Sequence, residues 1–178
     1  MIVLMGATGS GKSLQSKLLA DEHGYTWIST GRILRSLMTS TSRQEMQAGE
    51  LVDDQEMIKI MAKTLGTIKP NQQVVLDGFP RTMAQADWLI KRAKAGDFKL
   101  SIIFNFNIPQ AVIRDRLINR GRFDDTETAI KQRFKEYEAV TLPIIKRLQG
   151  EGYQIVDIDA AANPRTVHEN IVKAINKV

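Results

Sequence analysis

Short, dense apolar runs separated by stretches of helical periodicity set the framework of this chain. Five runs, at residues 2–5, 25–28, 73–76, 100–106 and 153–158, are candidate strands, most of them dense in Val, Ile, Leu or Phe on successive residues. A strand buried on both faces reads this way, as in a parallel sheet covered by helices. Between the runs, the spacing predicts helices. The first covers residues 13–23 and stops at Gly24. The next covers 54–65, with Asp53 as cap and Glu56 three residues on. Others cover 84–95 after Thr82, 109–119 opened by Pro109, a long stretch 127–148, and 164–176 opened by Pro164. Pro143 inside the long stretch predicts a kink or break.

Strand-then-helix repetition predicts an α/β fold: a doubly wound parallel sheet with helices on both faces and right-handed crossovers. Ligands of such sheets sit at the carboxyl ends of the strands. Two stretches, about 29–59 and 121–126, fit neither sheet nor crossover and are read as mobile excursions over a site or as irregular surface. The 178 residues suit one compact domain, and no repeat, low-complexity tract or flexible linker divides them.

Composition narrows the class only modestly. At 43% hydrophobic and 25% charged the chain is ordinary for a globular protein, and the absence of cysteine excludes disulfides and cysteine-based zinc sites. No basic leader with an apolar core and no run of 18 apolar residues is present, so the expectation is a soluble, cytoplasmic protein without a membrane span. The net charge of +5 comes without a Lys/Arg block, which argues for small anionic ligands over nucleic acid.

The sharpest chemistry lies directly after the first apolar run. Gly6-Ala7-Thr8-Gly9-Ser10-Gly11-Lys12-Ser13 matches G-x-x-x-x-G-K-[ST] between a strand and a helix. Glycines there let backbone N–H groups converge on phosphate oxygens, and the helix start adds its positive end. Lys12 would bridge the β- and γ-phosphates of a bound nucleotide, and the Ser13 hydroxyl would meet Mg²⁺. After the third run, Asp77-Gly78-Phe79-Pro80-Arg81 puts a carboxylate at a strand end, where a phosphate-loop protein holds magnesium. Thr82 and Gln85 have the spacing of a capping box. From spacing alone the cap is favoured for Gln85, with reading of a base edge as the alternative. Six arginines stand out: Arg35, Arg81, Arg116, Arg120, Arg122 and Arg133. Arg116 and Arg120 share a helix face at i,i+4, and arginine's bidentate donors suit the gathering of several phosphates.

Taken together, these segments resemble the adenylate kinases among the nucleoside monophosphate kinases, over nearly the whole chain and in the right order. The phosphate loop from Gly6 to Gln15, the run Ser29-Thr30-Gly31-Arg32-Ile33-Leu34-Arg35, the segment from Gly49 to Asp54, and Leu76 to Arg81 with Thr82 and Gln85-Ala86 carry the likeness. Arg116, Arg120, Arg122-Phe123-Asp124-Asp125 and Arg133 complete it. The resemblance implies a five-stranded sheet with core segments 1–28, 60–119 and 127–178, a monophosphate-binding excursion at about 29–59 and a lid at about 120–126.

It also implies roles. ATP would be bound by Gly9, Ser10, Gly11, Lys12, Ser13, Leu14 and Arg116, the last stacking on adenine. Thr30, Gly31, Leu34, Arg35, Val52, Gly78, Arg81 and Gln85 would line the monophosphate site. Thr30 with Gln85 is similar to the AMP-selective branch, which raises base reading above a cap-only role. Lys12, Arg81, Arg120, Arg122 and Arg133 would surround the transferring phosphoryl group. Ser13 and Asp77 would hold Mg²⁺, largely through water.

The chain departs from the family pattern at Thr8, where Pro is usual, and at Ser13-Leu14, where Gly-Thr is usual. Arg32 replaces an acidic residue, and Glu50 a basic position nearby. Only Gly121 separates Arg120 from Arg122, giving a lid shorter than the family's short form, from which some ATP hydrolysis is expected. The implied activity is transfer of the ATP γ-phosphoryl group to AMP, giving two ADP, by a monomer with nucleotides as its only partners. The alternatives are a catalytically weak, kinase-like nucleotide-binding regulator and a phosphate-loop kinase for another small acceptor.

Overall fold

A computed structural model describes residues 1–36, 53–122 and 125–177 of the chain. Five strands, β1 (Ile2–Gly6), β2 (Thr26–Ser29), β3 (Val74–Asp77), β4 (Ile102–Asn107) and β5 (Ile155–Asp159), form one sheet in the order β2-β3-β1-β4-β5. Every neighbouring pair is parallel. Among the described residues the α-helices are α1 (Lys12–His23), α2 (Thr30–Ser36), α3 (Asp54–Leu65), α4 (Met83–Lys94), α5 (Gln110–Arg120), α6 (Glu127–Glu136), α7 (Leu142–Gly150) and α8 (Pro164–Ile175).

The consecutive apolar residues of the strands divide between two cores, one on each sheet face, because successive side chains of a strand point to opposite sides. Val3, Met5, Val74, Leu76 and Ile103 pack with Met57 and Met61 of α3, Leu89 and Ile90 of α4, and Ile144 and Leu148 of α7. Ile2, Leu4, Val75, Ile102 and Phe104 pack with Leu19 of α1 and Val167 and Ile171 of α8. Side chains such as Leu19 and Leu148 are completely buried, each worth roughly 1.5–3 kcal/mol relative to exposure. A smaller cluster of Ala7, Ile113, Leu117 and Ile130 joins the phosphate loop to α5 and α6.

The five strands and the doubly wound class agree with the sequence reading, with edges displaced by one or two residues. The largest displacement of meaning is at β3, whose last residue is Asp77, so the carboxylate stands on the sheet edge and not beyond it. Within residues 29–59, Ser29 completes β2, α2 follows directly, and α3 begins at Asp54; residues 37–52 lie outside the described residues.

The long helical stretch divides at a π-helical turn, Tyr137–Thr141, and resumes as α7 with Pro143 in its first turn. Pro143 has no N–H for the α ladder, and the wider π turn just upstream absorbs that break in hydrogen bonding. Asp53 caps α3 by accepting from Gln55 N and Glu56 N at 3.0 and 3.1 Å. No helix among the described residues is long and apolar enough to cross a membrane.

Candidate nucleotide site

At the carboxyl edge of β1, β2 and β3 lies a cleft of about 320 Å³. Its position follows from topology. β1 is flanked by β3 and β4, and the chain leaves it toward α1 through the phosphate loop, at the point where strand order reverses. The loop packs tightly against α5. Gly9 has φ +88°, and a Cβ there would meet Ile113 Cγ2 at 2.8 Å and Leu117 Cγ at 2.9 Å. Only glycine combines that backbone conformation with so close an approach.

Lys12 is 8% exposed and turns back into the loop. Its ammonium donates to the carbonyls of Gly6 and Ala7, both at 2.7 Å, and to Ser10 Oγ at 3.3 Å. Burial, with Arg81 and Arg120 nearby, lowers its pKa to about 8 despite the opposing influence of Asp77. Ser10 is 1% exposed and supports the lysine from within the loop, whereas Gly9, Gly11, Lys12, Ser13 and Leu14 face the cleft.

Across from the loop, the Ser13 hydroxyl donates to Asp77 Oδ2 at 2.6 Å, and Ser29 Oγ reaches the same oxygen at 3.3 Å. Asp77 is 4% exposed. An alcohol oxygen and a carboxylate held side by side at a phosphate loop are hard oxygen donors of the kind magnesium uses, with most of its shell left to water and phosphate. The donor set therefore fits Mg²⁺.

The opposite wall comes from α2, the turn after β3 and the start of α4. Thr30, Gly31, Leu34, Arg35, Gly78, Arg81 and Gln85 line it. Thr30 Oγ1 donates to the Gly78 carbonyl at 2.8 Å, and Arg81 Nε donates to that same oxygen at 3.1 Å. Gly78 has φ +85°, and a Cβ on it would stand 2.6 Å from Thr30 Oγ1, so a side chain there would part the two segments.

Gln85 makes contacts that spacing alone does not foretell. Thr82 Oγ1 accepts from Gln85 N at 3.3 Å, as a cap should. The side-chain Oε1, however, accepts from Arg81 N at 2.8 Å, and Nε2 donates to Asp54 Oδ1 at 2.8 Å. Thr82 Oγ1 donates to that same Asp54 oxygen at 2.6 Å, so the first residue of α3 anchors the start of α4. One amide hydrogen and one carbonyl lone pair of Gln85 remain for a further partner.

The third wall is cationic. Arg116, Arg120, Arg122 and Arg133 all line the cleft. Arg116 Nη1 donates to the Ala160 carbonyl at 3.0 Å, which fixes its guanidinium beside the loop. Asp125 organises the others. Its side chain is 1% exposed, and it takes a two-pronged contact from Arg120, the Arg122 backbone N–H at 3.3 Å and Arg133 Nη1 at 3.6 Å. Among the described residues, seven cations (Lys12, Arg35, Arg81, Arg116, Arg120, Arg122 and Arg133) thus face a cleft whose lining holds one carboxylate, Asp77. Such a balance suits a ligand or ligand pair with several negative charges.

Val52, Glu50, Phe123 and Asp124 lie outside the described residues. Arg32 is exposed and sits over the Trp27 ring, 4.5 Å from its centroid, apart from the cleft lining. That departure from the family pattern is a surface cation–π contact. Thr8, Ser29, Met57 and Leu117 also line the cleft. Ser29 could have been found as a strand-end hydroxyl beside Thr30, whereas Met57 and Leu117 read only as core positions of their helices. Asp54 and Asp125 carried no signal of their partners beyond lying at helix starts.

Comparison with known proteins agrees with this architecture. The adenylate kinase family matches residues 4–153. An adenylate kinase of Phocaeicola vulgatus is 35% identical over 188 aligned positions, covering 99% of this chain and 98% of that protein. One of Corynebacterium urealyticum is 33% identical with 99% of each covered, and one of Prochlorococcus marinus is 34% identical with 96% of this chain and 95% of that protein covered. The phosphate loop at the sheet's switch point, the ring of arginines around it and these full-length similarities have one common explanation: the chain belongs to the adenylate kinase family of nucleoside monophosphate kinases.

Proposed function

We propose that the protein transfers the γ-phosphoryl group of Mg-ATP to AMP, forming two ADP. The observation that carries this reading is the two-sided cleft. A phosphate loop with Lys12 forms one side, and Thr30, Arg35, Arg81 and Gln85 form the other, with Arg120, Arg122 and Arg133 along the third.

In this reading Lys12 leaves part of its carbonyl cage to meet the β- and γ-phosphates, while the loop N–H groups cradle them. Ser13 and Asp77 would hold Mg²⁺, which supplies positive charge against the nucleotide phosphates when bound. Arg81, tied to the Gly78 carbonyl, and Arg35 grip the acceptor phosphate. Arg120 and Arg133, aligned by Asp125, face the phosphoryl group in flight. No general base is required, because the acceptor phosphate is already ionised near neutral pH. Catalysis then rests on alignment and on charge stabilisation. Gln85 reads the acceptor base with its remaining hydrogen-bonding capacity, and Arg116 stacks on the donor adenine. Residues 29–59 and 120–126 act as the closing segments, and the brevity of the second admits some water, giving slow ATP hydrolysis without acceptor.

The test is a panel of AMP, dAMP, GMP, CMP and UMP with Mg-ATP, followed by ³¹P NMR. Two ADP formed per AMP consumed, with AMP the preferred acceptor, is the expected result. Nucleotide binding without AMP-dependent ADP formation, or clear preference for another acceptor, would overturn the assignment.

A further inference from the structure

The last turn of α1 meets the first turns of α8 at a cluster that phosphoryl transfer does not use. Glu22, His23 and His168 each offer one ligand atom, and all three atoms lie within 4.8 Å of one another. His168 is 2% exposed. Its Nδ1 lies 3.1 Å from Gln15 Oε1, while Gln15 Nε2 donates to the Pro164 carbonyl at 2.9 Å. A carbonyl can only accept, so the amide's NH₂ end must face Pro164 and its oxygen must face the imidazole. The ring proton therefore sits on Nδ1, and neutral His168 presents a lone pair at Nε2.

That Nε2 atom is buried and has no hydrogen-bond partner. Glu22 Oε2, also an acceptor, lies 3.7 Å from it. The His23 ring closes the third side, 5.4 Å from the His168 ring between centroids and tilted by 35°. Three possible ligand atoms thus lie close together, with Glu22 engaged by Arg165 Nη1 and the His168 Nε2 lone pair left unmatched.

We propose that Glu22, His23 and His168 form a site for a divalent transition-metal ion, with zinc the best match, that clamps the end of α1 to α8. Two imidazoles, one carboxylate and a water make a four-coordinate set of the kind zinc takes, with ligand bonds of about 2.0–2.2 Å. Such bonds put tetrahedral ligand atoms about 3.3–3.5 Å apart. The Glu22–His168 separation is within a few tenths of an ångström of that. His23, exposed at the helix end, supplies the remaining adjustment. The Nδ1–H bond to Gln15 is the outer hydrogen bond that metal-bound histidines make, fixing tautomer and ring orientation together. Arg165 holds Glu22 at 2.8 and 2.9 Å and acts as the competing cation.

Isothermal titration with Zn²⁺ alone tests the site, on untagged, chelator-treated, nucleotide-free protein. One Zn²⁺ should bind per chain, and the melting temperature should rise with metal. His23→Asn alters an exposed residue and should leave the metal-free melting temperature unchanged. It should weaken Zn²⁺ binding by at least about 10-fold, the lower bound seen for losing even an outer hydrogen bond to a ligand. Arg165→Gln frees Glu22 and should tighten binding. Absence of saturable binding to the wild type, or binding equally tight in His23→Asn and Glu22→Gln, would overturn the proposal.

Discussion

Lys12 is placed where function and stability pull in opposite directions, and Lys12→Met should separate them. Burial brings its pKa from an ordinary 10.5 down to about 8. The ammonium is thus harder to keep charged in the folded protein than in the unfolded chain. At pH 7 both states are protonated, and a difference of that size corresponds to about 3 kcal/mol against folding. Methionine keeps the apolar stem but leaves the carbonyls of Gly6 and Ala7 without their donor, which recovers part of the cost. The net expectation is stabilisation of the nucleotide-free protein by about 1–2 kcal/mol, or roughly 2–8 °C in Tm for a chain of this size.

The pH dependence has a definite sign. As pH rises from about 8 toward 10.5, the folded wild type sheds the proton before the unfolded chain does, so the folded state gains stability. The penalty falls from about 3 to between about 1 and 2 kcal/mol at pH 9.5, and the advantage of Lys12→Met should shrink accordingly. Calorimetry at pH 7 and 9.5 without nucleotide measures both, and a kinetic assay should show kcat reduced by at least about 10²-fold. A variant that melts at or below the wild type at pH 7, or whose advantage grows with pH, would refute the account of a buried, strained cation.

Other expectations follow from the same geometry. Arg81→Ala should lower kcat by about 10²–10³-fold while the melting temperature changes little, since one electrostatic group at such a centre is typically worth that much; comparable losses in both would assign Arg81 to folding. Asp125→Asn keeps the shape but weakens charge-assisted bonds to Arg120 and Arg133, and a loss of about 1.5–3 kcal/mol in alignment predicts roughly 10–100-fold lower kcat, with unchanged kcat counting against the aligning role. Leu148→Ala, at a completely buried position of α7, should cost about 2–5 kcal/mol by denaturant unfolding and leave kcat per folded molecule intact.

What the sequence disclosed follows how local each feature is. The phosphate loop was legible because its glycines, lysine and serine act through backbone geometry within eight consecutive residues, Gly6 to Ser13. The strands were legible because burial on both sheet faces leaves an unbroken apolar signature. Asp54 was legible only as the start of a helix, since its contacts with Thr82 and Gln85 join segments about thirty residues apart. The role of Asp125 escaped for a related reason: its partners reach it from two helices and a turn, and no spacing rule links them. The π turn before Pro143 was foreseen only as a disturbance, because a proline names a missing donor without saying how the chain will absorb it.

One helix has a double duty with a mechanical outcome. On α5, Ile113 and Leu117 press against Gly9, while Arg116 and Arg120, one residue short of and three beyond Leu117, belong to the cleft wall. The support under the triphosphate cradle and the clamps beside it are therefore neighbouring stripes on one face of a single rod. Inserting one residue ahead of Ile113 would spin that rod by about 100°, taking away the bearing surface and swinging both guanidinium groups aside in the same stroke. Length changes after Arg120 leave that bearing surface in place but displace Asp125, whose carboxylate holds Arg120.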